Sequence, residues 1–219
     1  MKKIYLVFIF LYLTLSSSEA QVPGLDVTPD IEFSNGNWSL GWRFQVNTTS
    51  VITSLGVFDD NGGNGLNAAM PVGLYTDAGV LLASATVPAG TGATLINNFR
   101  YVSIAPVAVT AGSIYRIAAL HINATGDLYG YCGGACPTTT APQVTYLDDR
   151  FTSSSTLVFP TNNSGRIGYF GGNFLIGQTV VPTLGQWGLI ILGLLIISIS
   201  SIIIVQRRNA LAMNNTSKN

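Results

Sequence analysis

An all-β fold, an antiparallel two-sheet β-sandwich with jelly-roll-like topology, follows from three features of this 219-residue sequence. Gly, Thr, Ser, Asn and Val are abundant through its middle while helix formers are sparse, the composition of strands joined by tight turns. The run Trp38-Ser-Leu40-Gly-Trp42-Arg-Phe44-Gln-Val46 alternates apolar and polar residues without a break, as a half-buried strand does. Short β-prone segments then recur between turn signals roughly every 8–12 residues, a spacing typical of packed antiparallel sheets. An immunoglobulin-like topology is the rival arrangement.

The chain opens on a secretory signal peptide over 1–20. Lys2 and Lys3 form its charged end, 4–15 its apolar stretch, and Ser18-Glu19-Ala20 the small-residue cleavage site, placing the cut after Ala20. An uncleaved anchor is the alternative, but the apolar stretch is short for a membrane span. Residues 21–37 are a polar lead-in without a clear period. The β-sandwich domain occupies 38–178, with Trp38, Leu40, Trp42, Phe44 and Val46 facing inward on its first strand. Further strands are expected at 51–58, 70–75, 80–87, 99–104, 113–121, 143–147, 156–159 and 166–170. Thr76-Asp77-Ala78-Gly79 is a hairpin turn. Pro88, Pro106 and Pro160 fall at strand ends, where a missing amide donor is tolerated.

A transmembrane helix is expected at 187–206. Between Leu189 and Val205 no residue is charged, and only Ser198, Ser200 and Ser201 are polar. At about 1.5 Å per residue the helix spans roughly 30 Å, the hydrocarbon thickness of a bilayer. Arg207 and Arg208 mark its cytoplasmic end and Trp187 suits the outer interface, leaving 209–219 as a cytoplasmic tail.

Val181-Pro182-Thr183-Leu184, then Trp187-Gly188, an apolar helix and the Arg207-Arg208 pair together resemble the IPTL-CTERM sorting signal, a relative of the PEP-CTERM signals of Gram-negative bacteria. That resemblance implies an exosortase-type processing enzyme as partner, a membrane-embedded transpeptidase-like protein that removes the tail. The precursor would sit in the inner membrane with its domain in the periplasm, and the product would reach the cell surface or the medium. Two features depart from the family pattern: Val181 stands where isoleucine is usual, and the chain continues from Asn209 to Asn219.

Between Trp38 and Leu120 the runs WSLGWRFQV, LGVFDDNGGNGL, PVGLYTDAGVLLASATV, FRYVSI and TAGSIYRIAAL are similar to a β-sandwich domain of unknown function found in secreted bacterial proteins. The similarity implies the fold and an extracellular setting, and carries no activity.

The exported part holds Arg43, Arg100, Arg116, Arg150 and Arg166 and no lysine, against Asp26, Asp30, Glu32, Asp59, Asp60, Asp77, Asp127, Asp148 and Asp149. It is acidic, which speaks against a nucleic-acid partner. Asp59, Asn61 and Asn64, in Asp59-Asp60-Asn61-Gly62-Gly63-Asn64-Gly65, offer the hard oxygens that calcium wants. An Asx-rich turn explains the same composition, and no cofactor is required. Cys132 and Cys136 flank Gly133 and Gly134, and in an exported protein the simplest reading is a small disulfide loop. His121 is the sole histidine, with no nucleophile-elbow pattern around any serine. Glu32, Asp59, Asp77, Asp127 and Asp148 single out no carboxylate pair for glycoside hydrolysis. Tyr129 and Tyr131, with Tyr146 and Phe151 nearby, are candidate glycan contacts, because sugars stack on such rings; loop packing is the alternative. The expected function is a non-catalytic surface or extracellular-matrix-associated protein. The alternative is a carbohydrate-binding module or adhesin, with extracellular polysaccharide as its partner.

Overall fold

The computed structural model describes residues 21–134, 136–165, 168–177 and 184–216. The signal peptide expected at 1–20, and Val181, Pro182 and Thr183 of the sorting signal, lie outside them. The described chain is mostly β, built from several antiparallel sheets, with one apolar helix at its C-terminal end.

The lead-in carries three short strands, β1 (Gln21–Pro23), β2 (Leu25–Val27) and β3 (Ile31–Phe33). Each pairs with a distant segment: Val22 with Ile176, Asp26 with Thr139, Glu32 with Gly130. That dependence on remote partners explains why local sequence shows no period there. The alternating run forms β4 (Trp38–Val46), followed by β5 (Ser50–Phe58), β6 (Met70–Thr76) and β7 (Leu81–Val87). At the β6–β7 hairpin Gly79 takes φ of 90° and donates its N–H to the Thr76 carbonyl at 3.0 Å. A glycine suits that left-handed position because it has no Cβ to clash.

Next come β8 (Thr94–Ile96), β9 (Phe99–Val109), β10 (Ile114–His121), a 3-10 turn (Asn123–Thr125), β11 (Tyr129–Cys132) and β12 (Thr138–Thr140). The strands end with β13 (Val144–Ser153), β14 (Gly168–Phe170) and β15 (Gly172–Gly177).

Two five-stranded antiparallel sheets dominate, in the orders β1-β15-β5-β9-β8 and β13-β4-β10-β6-β7; a three-stranded sheet β14-β11-β3 and the pair β12-β2 complete the fold. Both larger sheets feed one hydrophobic cluster. Ile52, Leu55, Val57, Phe99 and Phe174 come from the first, and Trp42, Phe44, Val72, Leu74 and Ile117 from the second. Trp42 also donates its Nε1–H to the Gly172 carbonyl at 3.0 Å, a hydrogen bond from one sheet to the other.

Several elements differ from the sequence expectation. Strand β9 runs through Pro106 instead of stopping before it. Its register against β5 slips between Ser103 and Val107, so the proline falls in the bulge, where no ladder amide is needed. Strand β13 continues past Leu147 through Asp148, Asp149 and Arg150. Asp148 is neutralised there by Arg43 at 2.9 Å and Arg150 at 2.7 Å.

The strand expected at 156–159 is absent. That segment crosses the outer face of β4 and β10 instead: Val158 donates its N–H to Ser39 Oγ at 3.0 Å, and Phe159 lies under the Arg116 guanidinium at 4.4 Å. This cover also buries Ser39, so β4 is buried on both faces over its first half. The wholly buried β15 was not expected. Its sequence Gly-Asn-Phe-Leu-Ile-Gly does not alternate, and Gly172 and Asn173 at its start are turn-type residues, so no strand signal stands out.

The strands and the helix α1 (Leu184–Thr216) form two separate units. The helix is longer than the span expected at 187–206. It continues through Arg207 and Arg208 into Ala-Leu-Ala-Met, which are strong helix formers.

Candidate functional site

Strand β4 ends its core-facing row at Trp38, where it meets β13 and the small sheet. Asn35, Trp38, Leu40, Tyr129, Phe151 and Tyr169 line a pocket there of about 140 Å³. Three of its ring pairs meet edge to face. Trp38 and Phe151 have centroids 5.9 Å apart at 77°, Phe151 and Tyr169 5.4 Å at 73°, and Tyr129 and Tyr169 6.0 Å at 74°. Such pairs are favoured by the ring quadrupoles and hold the walls upright.

At the pocket's polar corner, Asn35 Oδ1 accepts both Trp38 Nε1–H at 3.0 Å and Tyr129 Oη–H at 2.6 Å. An indole nitrogen can only donate, so the atom it meets is the amide oxygen. The Asn35 Nδ2 donors make no hydrogen bond among the described residues. Burial and the neighbouring Tyr169 push the Tyr129 phenol up to about 12, so it stays protonated as a donor.

Of the glycan contacts expected from sequence, Tyr129 lines this pocket. Tyr131 does not; it packs on Tyr169 at 5.0 Å. Phe151 is a wall, whereas Tyr146 turns to the core and stacks on Trp42 at 5.8 Å. Asn35, Trp38 and Tyr169 were not singled out by sequence. The strand alternation placed Trp38 inward, which was the available signal.

Beside the pocket, His121 packs edge-on against Tyr129 with its Nε2 2.9 Å from Ser34 Oγ. Ser34 donates its own proton to Asn123 Oδ1, so His121 Nε2 carries the hydrogen and Ser34 Oγ accepts it. Asp127 Oδ1 accepts the Asn67 N–H at 2.8 Å, and its buried Oδ2 has no partner among the described residues. A serine–histidine relay needs the serine proton directed at the imidazole and the aspartate bonded to the ring. Neither bond is made here. Burial lowers the His121 pKa to about 4, with Asp127 opposing weakly.

The Asp59 loop is organised around an internal ion pair. Asp59 accepts Arg100 Nε–H and, at 3.1 Å, the Gly65 N–H. Arg100 spends its other donors on the carbonyls of Thr91, Ala93 and Gly63 at 2.8–3.0 Å. Asp59, one of the three oxygen donors expected for calcium, is thus ion-paired with a guanidinium. The Asn61 N–H meets Glu32 Oε2 at 2.8 Å, and no hydrogen bond joins Asn64 to Asp59. Among the described residues, the one group of three titratable ligands brought together is Asp30, Cys132 and Cys136. Its two sulfurs are joined to each other in a disulfide.

In α1 the side chains from Ile191 to Arg208 are unburied on every side of the helix apart from partly covered Gly193. A helix apolar all round suits lipid, not a protein–water boundary. Ser198, Ser200 and Ser201 each return their hydroxyl to the carbonyl four residues back, at 2.7–2.8 Å, so no polar hydrogen faces the hydrocarbon.

The family model for a domain of unknown function, DUF4082, matches residues 26–171, and the chain belongs to that family. The match begins inside the lead-in, at β2, and extends past β14. The IPTL-CTERM motif matches residues 179–196, which establishes the sorting signal. No curated protein and no solved structure matches the chain.

Proposed function

We propose that this protein is a non-catalytic component of the cell surface or extracellular matrix, delivered by exosortase-type processing of its tail. The observation that carries the reading is the IPTL-CTERM motif running into a helix apolar on all sides. A signal peptide cleaved after Ala20 directs the domain to the periplasm of a Gram-negative cell, and Arg207 and Arg208 hold the far end in the cytoplasm. The two five-stranded sheets pack as a β-sandwich of jelly-roll type, a reading supported by the core cluster they share.

Mass spectrometry of the mature protein from its native host tests this. The expected product begins at Gln21 and lacks everything from about Thr183 onward. Replacing Pro182 and Trp187 with alanine should leave the full-length form in the inner membrane. Release of those variants like the parent would overturn the sorting reading, because the tail would then be removed without its motif.

A second reading, a carbohydrate-binding module or adhesin, is favoured by one observation, the aromatic pocket at Trp38.

A further inference from the structure

We propose that the pocket between Trp38, Phe151 and Tyr169 binds one neutral sugar ring, a terminal residue of an uncharged polysaccharide. The proposal deepens the carbohydrate-binding reading and rests on it.

The occupant follows from the chemistry of the walls. None of the six described lining residues is charged, so nothing there compensates a carboxylate, phosphate or ammonium group. The aromatic walls favour a ligand with an apolar face, and the C–H face of a pyranose meets an aromatic ring well. A purely apolar ligand fits less well, because the pocket has a polar corner. Asn35 fixes its oxygen on Trp38 and Tyr129, leaving the two Nδ2 hydrogens as donors. The Tyr129 hydroxyl, having donated to Asn35, keeps lone pairs that can accept. A donor and an acceptor side by side match neighbouring hydroxyls of one sugar ring.

Size limits the ligand further. A volume of about 140 Å³ is well below the roughly 300–1,000 Å³ of pockets that hold drug-sized ligands, so the site suits one ring and not a threaded chain. The site is also preformed. The Asn35 bonds and the edge-to-face contacts hold Trp38, Tyr129, Phe151 and Tyr169 in place before any ligand arrives. Little side-chain entropy is then lost on binding.

The test uses the full-length chain in a detergent without a sugar head group, titrated calorimetrically with neutral gluco-, xylo- and manno-oligosaccharides and with uronate oligomers. Saturable binding of a neutral oligosaccharide is expected, with uronates at least about tenfold weaker. Trp38→Ala and Asn35→Ala should each weaken binding about tenfold or more, while Phe159→Ala, on the outer strap, leaves it unchanged. Asn35 is exposed, so its variant keeps the test readable if Trp38→Ala does not fold. No saturable binding up to about 10 mM, preference for uronates, or unchanged binding in both pocket variants would overturn the proposal. Mass spectrometry of the termini reads sorting separately, so the pocket can fail while the surface-protein reading stands.

Discussion

Arg100 of β9 and Asp59, just beyond β5, form an ion pair withdrawn from water, with side-chain exposures of 4% and 0%. Arg100 also ties three carbonyls of two loops, so one guanidinium fixes both the Asp59 loop and the chain at Thr91–Ala93. Breaking such a pair leaves a charge buried without a partner. Asp59→Asn should therefore lower unfolding free energy by about 3–5 kcal/mol in guanidinium titrations. Arg100→Lys should fall in the same range, because an ammonium cannot reproduce the planar fork. Losses below about 1 kcal/mol for both would mean that water reaches the pair.

His121 predicts a pH dependence. Its folded pKa, near 4, lies below the unfolded value of 6.5. The imidazole is held neutral by burial, so its contribution to stability is full above pH 6.5 and is lost as pH falls toward 4. At about 1.4 kcal/mol per unit, the loss is on the order of 3 kcal/mol. Denaturation midpoints at several pH values should show it, and His121→Gln should flatten the profile across that window. An unchanged slope in the variant would assign the dependence to the carboxylates.

Gly172 of β15 packs directly against the backbone of β10. A Cβ there would lie 2.9 Å from the backbone of Ala118 in β10. Because backbone cannot step aside as a side chain can, Gly172→Ala should destabilise by about 3 kcal/mol. Gly92→Ala, with nothing within 4 Å, should change stability by less than about 0.5 kcal/mol. Equal thermal shifts for the two would show that the sheets separate freely.

Cys132 and Cys136 are joined across a separation of four residues. The exported protein should take up no thiol label when denatured without reductant. Closing so short a loop constrains the unfolded chain modestly, so reduction should lower stability by only about 2 kcal/mol. Stoichiometric labelling would place the cysteines in another state.

The sequence is most legible where one row of a strand faces the core or where a backbone conformation demands a particular residue. Strand β4 shows its alternation because one row faces the core throughout. The hairpin at Gly79 is legible because its backbone demands glycine. Segments whose state depends on remote partners were not legible. The lead-in becomes strands only because β15, β12 and β11 present free edges to it. Strand β15 is covered on both faces, so its residues show no period. The candidate site divides in the same way. Tyr129 and Phe151 were found through aromatic clustering in sequence, whereas Asn35 and Tyr169 reach the pocket only through folding.

By itself the sequence determined the antiparallel β character, the disulfide partners and the sorting tail. Each rests on local chemistry: alternation, two cysteines close in the chain, and a long uncharged run bounded by a motif and two arginines. Tertiary structure decided the use of each polar group. It paired Asp59 with Arg100, directed the Ser34 proton to Asn123 instead of His121, and gathered Asn35 with four aromatic rings. A buried charge or hydrogen-bonding group is stable only beside its partner. In a fold of paired strands that partner is usually far away in the chain, where neither composition nor spacing can identify it.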